Sequence, residues 1–202
     1  MKNTEAIELV VYRLRESPTA NKPIILNQTD DGLAKLGGYL SRQVFQSTDD
    51  EKVLLDYVRW KSLSEAEEAA KNMMQVPQLE AFVKLIEKTE IFEHFLPVNH
   101  HVIEDKTSDV VEVVVYERKE AHAASIAEFF NTYSNEIKQM PGYYQRVLLQ
   151  SVKNNRMYAE RVYWRSAQDV VAATAAMEKN PVLGAAFANV EKVLLMKHFV
   201  KL

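Results

Sequence analysis

Shifted by 104 positions, this sequence lies on top of itself without a gap. Tyr12 meets Tyr116, Gly38 and Tyr39 meet Gly142 and Tyr143, Arg42 meets Arg146, and Gln46 and Ser47 meet Gln150 and Ser151. Trp60 and Ser62 meet Trp164 and Ser166, Pro77 meets Pro181, and His94 and Phe95 meet His198 and Phe199. About 25 of roughly 98 aligned pairs are identical, far above chance for a fixed register. The period is too long for a solenoid repeat and suits one small domain. The expectation is a fused pair of equivalent units, residues 1–98 and 110–202, joined by a polar linker over 99–109. Two copies in one chain can build what a homodimer builds, about a pseudo-two-fold axis.

Composition narrows the class. Of the side chains, 47% are hydrophobic and 26% charged, as in ordinary globular domains and unlike disordered or fibrous chains. No run approaches the roughly 18 to 20 apolar residues of a bilayer span. Residues 1–5 lead straight into a strand pattern, with no room for a secretory apolar region. With no cysteine, disulfides, thiolate metal sites and cysteine nucleophiles are excluded. A net charge of −3 with interspersed signs lacks a nucleic-acid footprint. These features lead us to expect a cytoplasmic protein with neither nucleic acid nor membrane as partner.

Each half gives the same order of elements. Glu8 to Tyr12 and Glu112 to Tyr116 are β-branched, aromatic-tipped strand runs. In the second half Ile126, Phe129, Phe130, Tyr133, Ile137 and Met140 recur at helical spacing, until Pro141 and Gly142 stop the helix. The matching stretch, Ser17 to Gly37, carries Pro18, Pro23 and the turn-forming Asp30, Asp31 and Gly32, which predicts a short or broken helix. Paired strands follow: Tyr39 to Ser47 with Val53 to Lys61, and Tyr143 to Ser151 with Met157 to Arg165. Ser62 with Glu65 forms a capping box, and Ser166 with Asp169 its shorter analogue. A helix broken at Pro77 or Pro181 follows; its second piece (Leu79, Phe82, Val83, Ile86) leads to a last strand, Ile91 to Val98 or Val193 to Leu202. The order β-α-β-β-α-β, twice, predicts two ferredoxin-like units, each an antiparallel four-stranded sheet with two helices on one face. Strands apolar on both faces cannot leave one in water, so the bare faces are expected to meet.

The tryptophan, one residue and serine that close the third strand before an alanine-rich helix (Trp60 and Ser62, Trp164 and Ser166), on this repeated unit, resemble the antibiotic biosynthesis monooxygenase (ABM) group of the dimeric α+β barrel superfamily. The resemblance covers nearly the whole chain. It implies an α+β fold, with the two units packed sheet to sheet as an intramolecular α+β barrel. Members include cofactor-free oxygenases of polyketide-like or quinol substrates, haem-degrading enzymes, and many proteins of no known activity. The haem-degrading branch carries an Asn on the first strand and a Trp and a His on the second helix. Here no Asn lies between Glu5 and Tyr12 or between Asp109 and Tyr116, Ala69 and Ala173 stand near the Trp position, and Leu79 to Val83 and Leu183 to Phe187 hold no His. The haem-degrading pattern is absent, and the resemblance to the cofactor-free oxygenases implies that no cofactor is needed. The first helix helps to roof the pocket in this superfamily, so the better-enclosed cavity is expected in the second half.

Several residues could carry chemistry. His94 and His198 sit mid-strand on a face shared with Phe92 and Leu96, or with Met196 and Val200. Such a histidine is either a core residue with one satisfied ring nitrogen or, if the face lines a cavity, a base near neutral pH held neutral by its apolar surround. Trp60 and Trp164 are either core aromatics that pack helix on sheet or flat walls for an aromatic substrate. Tyr12, Tyr116, Arg42 and Arg146 either interlock across the pseudo-axis or hold a phenolate, enolate or carboxylate. Arg161 and Tyr163 are matched by Tyr57 and Arg59, the same pair swapped. His100 and His101 are adjacent on the linker and lack metal-ligand spacing. No metal, nucleotide or hydrolase motif occurs. The reading is a cofactor-independent monooxygenase of a small aromatic, quinol or polyketide-like molecule, with His198 and His94 as catalytic candidates and the Trp, Tyr and Arg pairs as ligand contacts. The alternative is a non-catalytic barrel that binds a small ligand. The protein partner to expect is a second copy, in a homodimer of the fused unit.

Overall fold

A computed structural model of the chain describes residues 5–98, 110–119 and 123–202. The expected linker with His100 and His101, and the side chain of Ile126, lie outside the described residues. Two compact units divide the chain, one comprising Met1–Pro97 with Val200–Leu202 and the other Val98–Phe199. The chain has the α+β character its sequence predicts.

In the first unit β1 (Ala6–Leu14), β2 (Tyr39–Ser47), β3 (Val53–Trp60) and β4 (Ile86–Pro97) pair antiparallel in the order β4-β1-β3-β2. In the second, β5 (Val110–Arg118), β6 (Tyr143–Ser151), β7 (Met157–Trp164) and β8 (Val190–Lys201) pair as β8-β5-β7-β6. The registers correspond: Glu8 stands opposite Val58 and His94, and Glu112 opposite Val162 and His198. Both last strands start earlier than their apolar runs suggest. Ile86, expected in the helix, pairs with Leu14 instead, and Val190 pairs with Arg118. Unmet backbone groups on β1 and β5 extend the ladder past the point where side-chain pattern fades.

The helices lie on one face of each unit's sheet. Those of the first unit are α1 (Pro18–Pro23), a π-helical turn (Ile24–Gln28), α2 (Thr29–Leu33), α3 (Leu63–Asn72) and α4 (Pro77–Leu85). The second has α5 (Ala123–Ile137), α6 (Ala167–Glu178) and α7 (Pro181–Phe187). The stretch expected to break between β1 and β2 is helical from Pro18 to Leu33; the prolines cost it regularity, as a π turn, and not continuity. Tertiary partners override the turn residues. The Thr29 hydroxyl donates to the Ile24 carbonyl at 2.7 Å and the Asp30 carboxylate accepts from Arg42 at 3.1 Å. Gly32 serves packing: a Cβ there would lie 2.9 Å from Leu79 of α4.

Caps fix where helices begin. The Ser62 hydroxyl accepts from the Glu65 N–H at 3.3 Å and donates to the Glu65 carboxylate at 2.9 Å. The reciprocal bond of the box thus lands on the hydroxyl and not on the Ser62 N–H. Ser166 and Asp169 repeat the pair at 3.2 and 2.7 Å, with Arg165 chelating the same carboxylate. Gly38 and Gly142 enter β2 and β6 with φ of 80° and 77°, a region that favours glycine.

Alternation along the strands decides what faces the helices. Ala6, Val58 and Trp60 pack with Ala66, Ala69 and Leu79, and Tyr12, Leu14 and Leu54 with Ile25 and Phe82. In the second unit Tyr116, Leu148 and Tyr158 meet Phe129 and Phe130. An aromatic side chain buries roughly 150–250 Å², so at about 25 cal/mol per Å² each contributes a few kcal/mol. Polar residues of the same alternation are therefore carried into this layer.

Candidate functional site

Between sheet and helices each unit holds a buried tyrosine–arginine–carboxylate cluster. In the first unit Tyr12 on β1 donates its hydroxyl to Asp56 Oδ1 at 3.0 Å. Arg42 on β2 donates from Nη2 to Asp56 Oδ2 at 2.8 Å and from Nη1 to the Ile25 carbonyl at 2.7 Å. In the second unit Tyr116 donates to Glu160 Oε1, while Arg146 donates from Nε to Glu160 Oε2 and from Nη1 to Ser134 Oγ, both at 2.7 Å. Of the two alternatives for these residues, interlocking or holding an acidic group, the described bonds run from Tyr and Arg to a carboxylate of their own unit. Asp56 and Glu160, the acids at the centre, were missed. The available signal was an acidic residue at the same repeat position in the middle of two largely apolar strands.

The physical state of these clusters follows from burial. Desolvation, joined by the neighbouring carboxylate, raises the Tyr12 and Tyr116 hydroxyls well above their ordinary range; they stay protonated and donate. Burial likewise raises Tyr133 on α5, with Glu160 next in effect and Glu112 a smaller one. Desolvation opposes the charge on Arg42 and Arg146, but Asp56 and Glu160 outweigh it and hold both guanidinium groups charged. Arg146 also lies 4.4 Å from the Tyr133 ring centre, and Arg42 lies 5.4 Å from that of Phe82.

The histidines occupy the same layer, each opposite a glutamate on the neighbouring strand. His94 Nε2 lies 3.0 Å from Glu8 Oε2 with the imidazole 3% exposed, and Phe92 sits edge-on to its ring at 5.7 Å. His198 Nε2 lies 3.7 Å from Glu112 Oε1, and its side chain is 31% exposed. Glu112, itself buried, accepts from Trp164 Nε1 at 3.2 Å. The apolar surround expected for His198 is thus corrected: a carboxylate stands beside the ring, and Met196 on the same strand face is largely exposed. Glu8 and Glu112 were also missed as partners. Trp60 and Trp164 are fully buried, packed edge-to-face with Tyr39 and Tyr143 at 5.9 and 6.1 Å. They are core aromatics here, and Trp164 adds a hydrogen bond that steadies Glu112.

A cleft of about 600 Å³ opens in the second unit. It lies between α5, which contributes Glu128, Phe129 and Thr132, and α7, which contributes Pro181, Val182 and Ala185. The volume suits a small ligand, and the cleft lies in the half where the sequence predicts the better cavity. None of the candidate residues lines it. Among the described residues no group of three or more His, Cys, Asp or Glu converges to hold a metal.

No family model and no curated protein matches the chain. Solved structures do. An anthrone oxidase-like protein superposes with a TM-score of 0.73 at 15% identity, covering 100% of this chain and 92% of that one. A proposed monooxygenase from Lactobacillus acidophilus NCFM gives 0.63 at 13% identity over 98% and 94%. A mutant chlorite dismutase from Candidatus Nitrospira defluvii gives 0.68 at 9% identity over 100% and 93%. These structures share the fold of this chain. Identities this low establish the fold alone, so activity rests on this chain's own residues.

Proposed function

We propose that this chain is a tandem ABM-like protein whose second unit oxygenates a small electron-rich aromatic, quinol or polyketide-like molecule without a cofactor. The observation that carries the reading is the His198–Glu112 pair: an imidazole reached from solvent and backed by a buried carboxylate that Trp164 steadies. In this reading His198 takes an acidic C–H or O–H proton from the substrate, and Glu112 stabilises the imidazolium that results. The substrate anion supplies electrons to O2, a C–O bond forms, and the peroxide loses water to leave a carbonyl. Fold neighbours described as a proposed monooxygenase and as anthrone oxidase-like are in keeping with that chemistry. The first unit differs, because its His94 is enclosed and bonded to Glu8.

The test is O2 uptake by metal-stripped protein across a panel of quinols and polyketide-like phenols. The expected result is turnover that falls roughly 10²-fold or more in His198→Ala, with His94→Ala close to wild type. Full activity in His198→Ala removes that role from it. No turnover by wild type across the panel favours the second reading, a non-catalytic ligand-binding barrel. That reading has its own support: the cleft between α5 and α7 is of ligand size and is lined by none of the catalytic candidates.

A further inference from the structure

Arg118, at the end of β5, is a buried cation outside the clusters above. It is 1% exposed, and its Nε and Nη1 meet no hydrogen-bond acceptor among the described residues. What it meets is aromatic: its guanidinium carbon lies 4.6 Å from the ring centre of Phe129 and 6.0 Å from that of Phe130. Ring faces offset part of the desolvation of a cation but offer no acceptor to its N–H groups. Burying a guanidinium in that state opposes folding. The matching position of the first unit carries Leu14, which is buried in an apolar cluster. The fold therefore has no need of a cation there.

Phe129 connects this guanidinium to the cleft between α5 and α7. The ring over which Arg118 lies also lines the cleft, so the guanidinium stands behind one ring of the wall. On the floor side, Asn189 lines the cleft, and Lys119 Nζ donates to the neighbouring Ala188 carbonyl at 2.8 Å. The acidic group at the cleft is Glu128, which is exposed. We propose that the cleft binds a planar aromatic carboxylate, its body against Phe129, Val182 and Ala185 and its carboxylate on Arg118. The fork of a guanidinium matches two carboxylate oxygens at once. Rotation of the Phe129 side chain brings the two groups into contact, and the ligand supplies acceptors that Nε and Nη1 lack among the described residues. This site is separate from His198, and its test needs no turnover.

The test compares 2-naphthoate with its neutral isostere 2-naphthamide by calorimetric titration of the full-length protein. The expected result is saturable naphthoate binding, at least 10-fold tighter than naphthamide. Val182→Trp, which fills the cleft from an exposed position, should abolish it. Arg118→Leu, which copies the first unit, should erase the preference while leaving a folded protein. Should that variant fail to fold, Arg118→Lys decides, since it keeps the charge but loses the fork and should weaken naphthoate at least 5-fold and leave naphthamide unchanged. Equal affinity for the two ligands, or no binding of either, overturns the proposal. So does binding unaffected by Val182→Trp, or an undiminished preference in a folded Arg118→Leu or Arg118→Lys protein.

Discussion

A single buried carboxylate organises each tyrosine–arginine cluster, and its removal has a large expected effect. Glu160 accepts from both Tyr116 and Arg146, and Arg146 is nearly fully buried. In Glu160→Ala the guanidinium would remain in the core without its counter-charge, at a cost of about 3–5 kcal/mol. Urea denaturation monitored by circular dichroism reads that loss. Tyr116→Phe removes a donor while Arg146 still pairs with Glu160, so it should cost only about 1 kcal/mol. If the two variants lose equal stability, the ion pair is not the centre of the cluster. Asp56 fills this place in the first unit with a side chain one methylene shorter, and there Arg42 reaches on to the Ile25 carbonyl and Asp30.

Among the elements, the junction between the second unit's first helix and β6 is the most constrained. Gly142 has φ of 77°, and a Cβ there would collide with the Asp169 carboxyl group, which is bound to Ser166 and Arg165. Gly142→Ala should therefore destabilise the protein by more than the roughly 1 kcal/mol of a strained φ alone, because it also dislodges the α6 cap. Ser166→Ala removes only the cap and should cost about 1 kcal/mol. Thermal unfolding of the two variants ranks them, and a Gly142→Ala protein as stable as wild type would refute the steric argument. Helix α7 is shorter than α4, and position 186 carries Ala where α4 carries Phe82. Phe82 packs edge-on against Tyr12 at 5.4 Å, whereas in the second unit Phe130 of α5 packs on Tyr158 at 5.2 Å.

For the whole molecule, the buried phenols set an alkaline limit. Burial is the largest cause that raises Tyr12, Tyr116, Tyr133, Tyr143 and Tyr158, and it pushes Tyr39 up to about 12. A folded-state value above the unfolded one means that the unfolded chain loses these protons first. Their contribution to stability is thus fully present below about pH 10 and is lost as pH rises beyond it. Titrated by tyrosinate absorbance, part of the nine tyrosines should ionise only together with unfolding; a simple reversible titration of all nine near pH 10 would contradict this. On strand patterning we further propose that the two halves share a core. Residues 1–98 and 105–202, expressed separately, should associate or aggregate. Two stable, soluble monomeric halves would refute the shared core.

The gapless 104-residue offset and the period-two strands were enough to determine strand positions, element order and fold class. Such features are local, and hydrophobic alternation records them directly. Tyr39 to Ser47 and Tyr143 to Ser151 come out with both ends as expected, because glycine at one end and a polar turn at the other mark them. The helix through Asp30, Asp31 and Gly32 was not legible, since Arg42 and Leu79, which stabilise it, are distant in sequence. The same holds for the site. His94, His198, Tyr12, Tyr116, Arg42 and Arg146 could be picked out by type and repetition, but their acidic partners Glu8, Glu112, Asp56 and Glu160 could not. A glutamate or aspartate in a strand reads as solvent-facing until neighbouring strands and helices close over it. Only tertiary structure decided that His94 is enclosed while His198 is partly exposed, and that Arg118 is buried with Nε and Nη1 meeting no acceptor among the described residues. Those outcomes depend on which side chains from remote segments reach the same few ångströms, which no local pattern encodes.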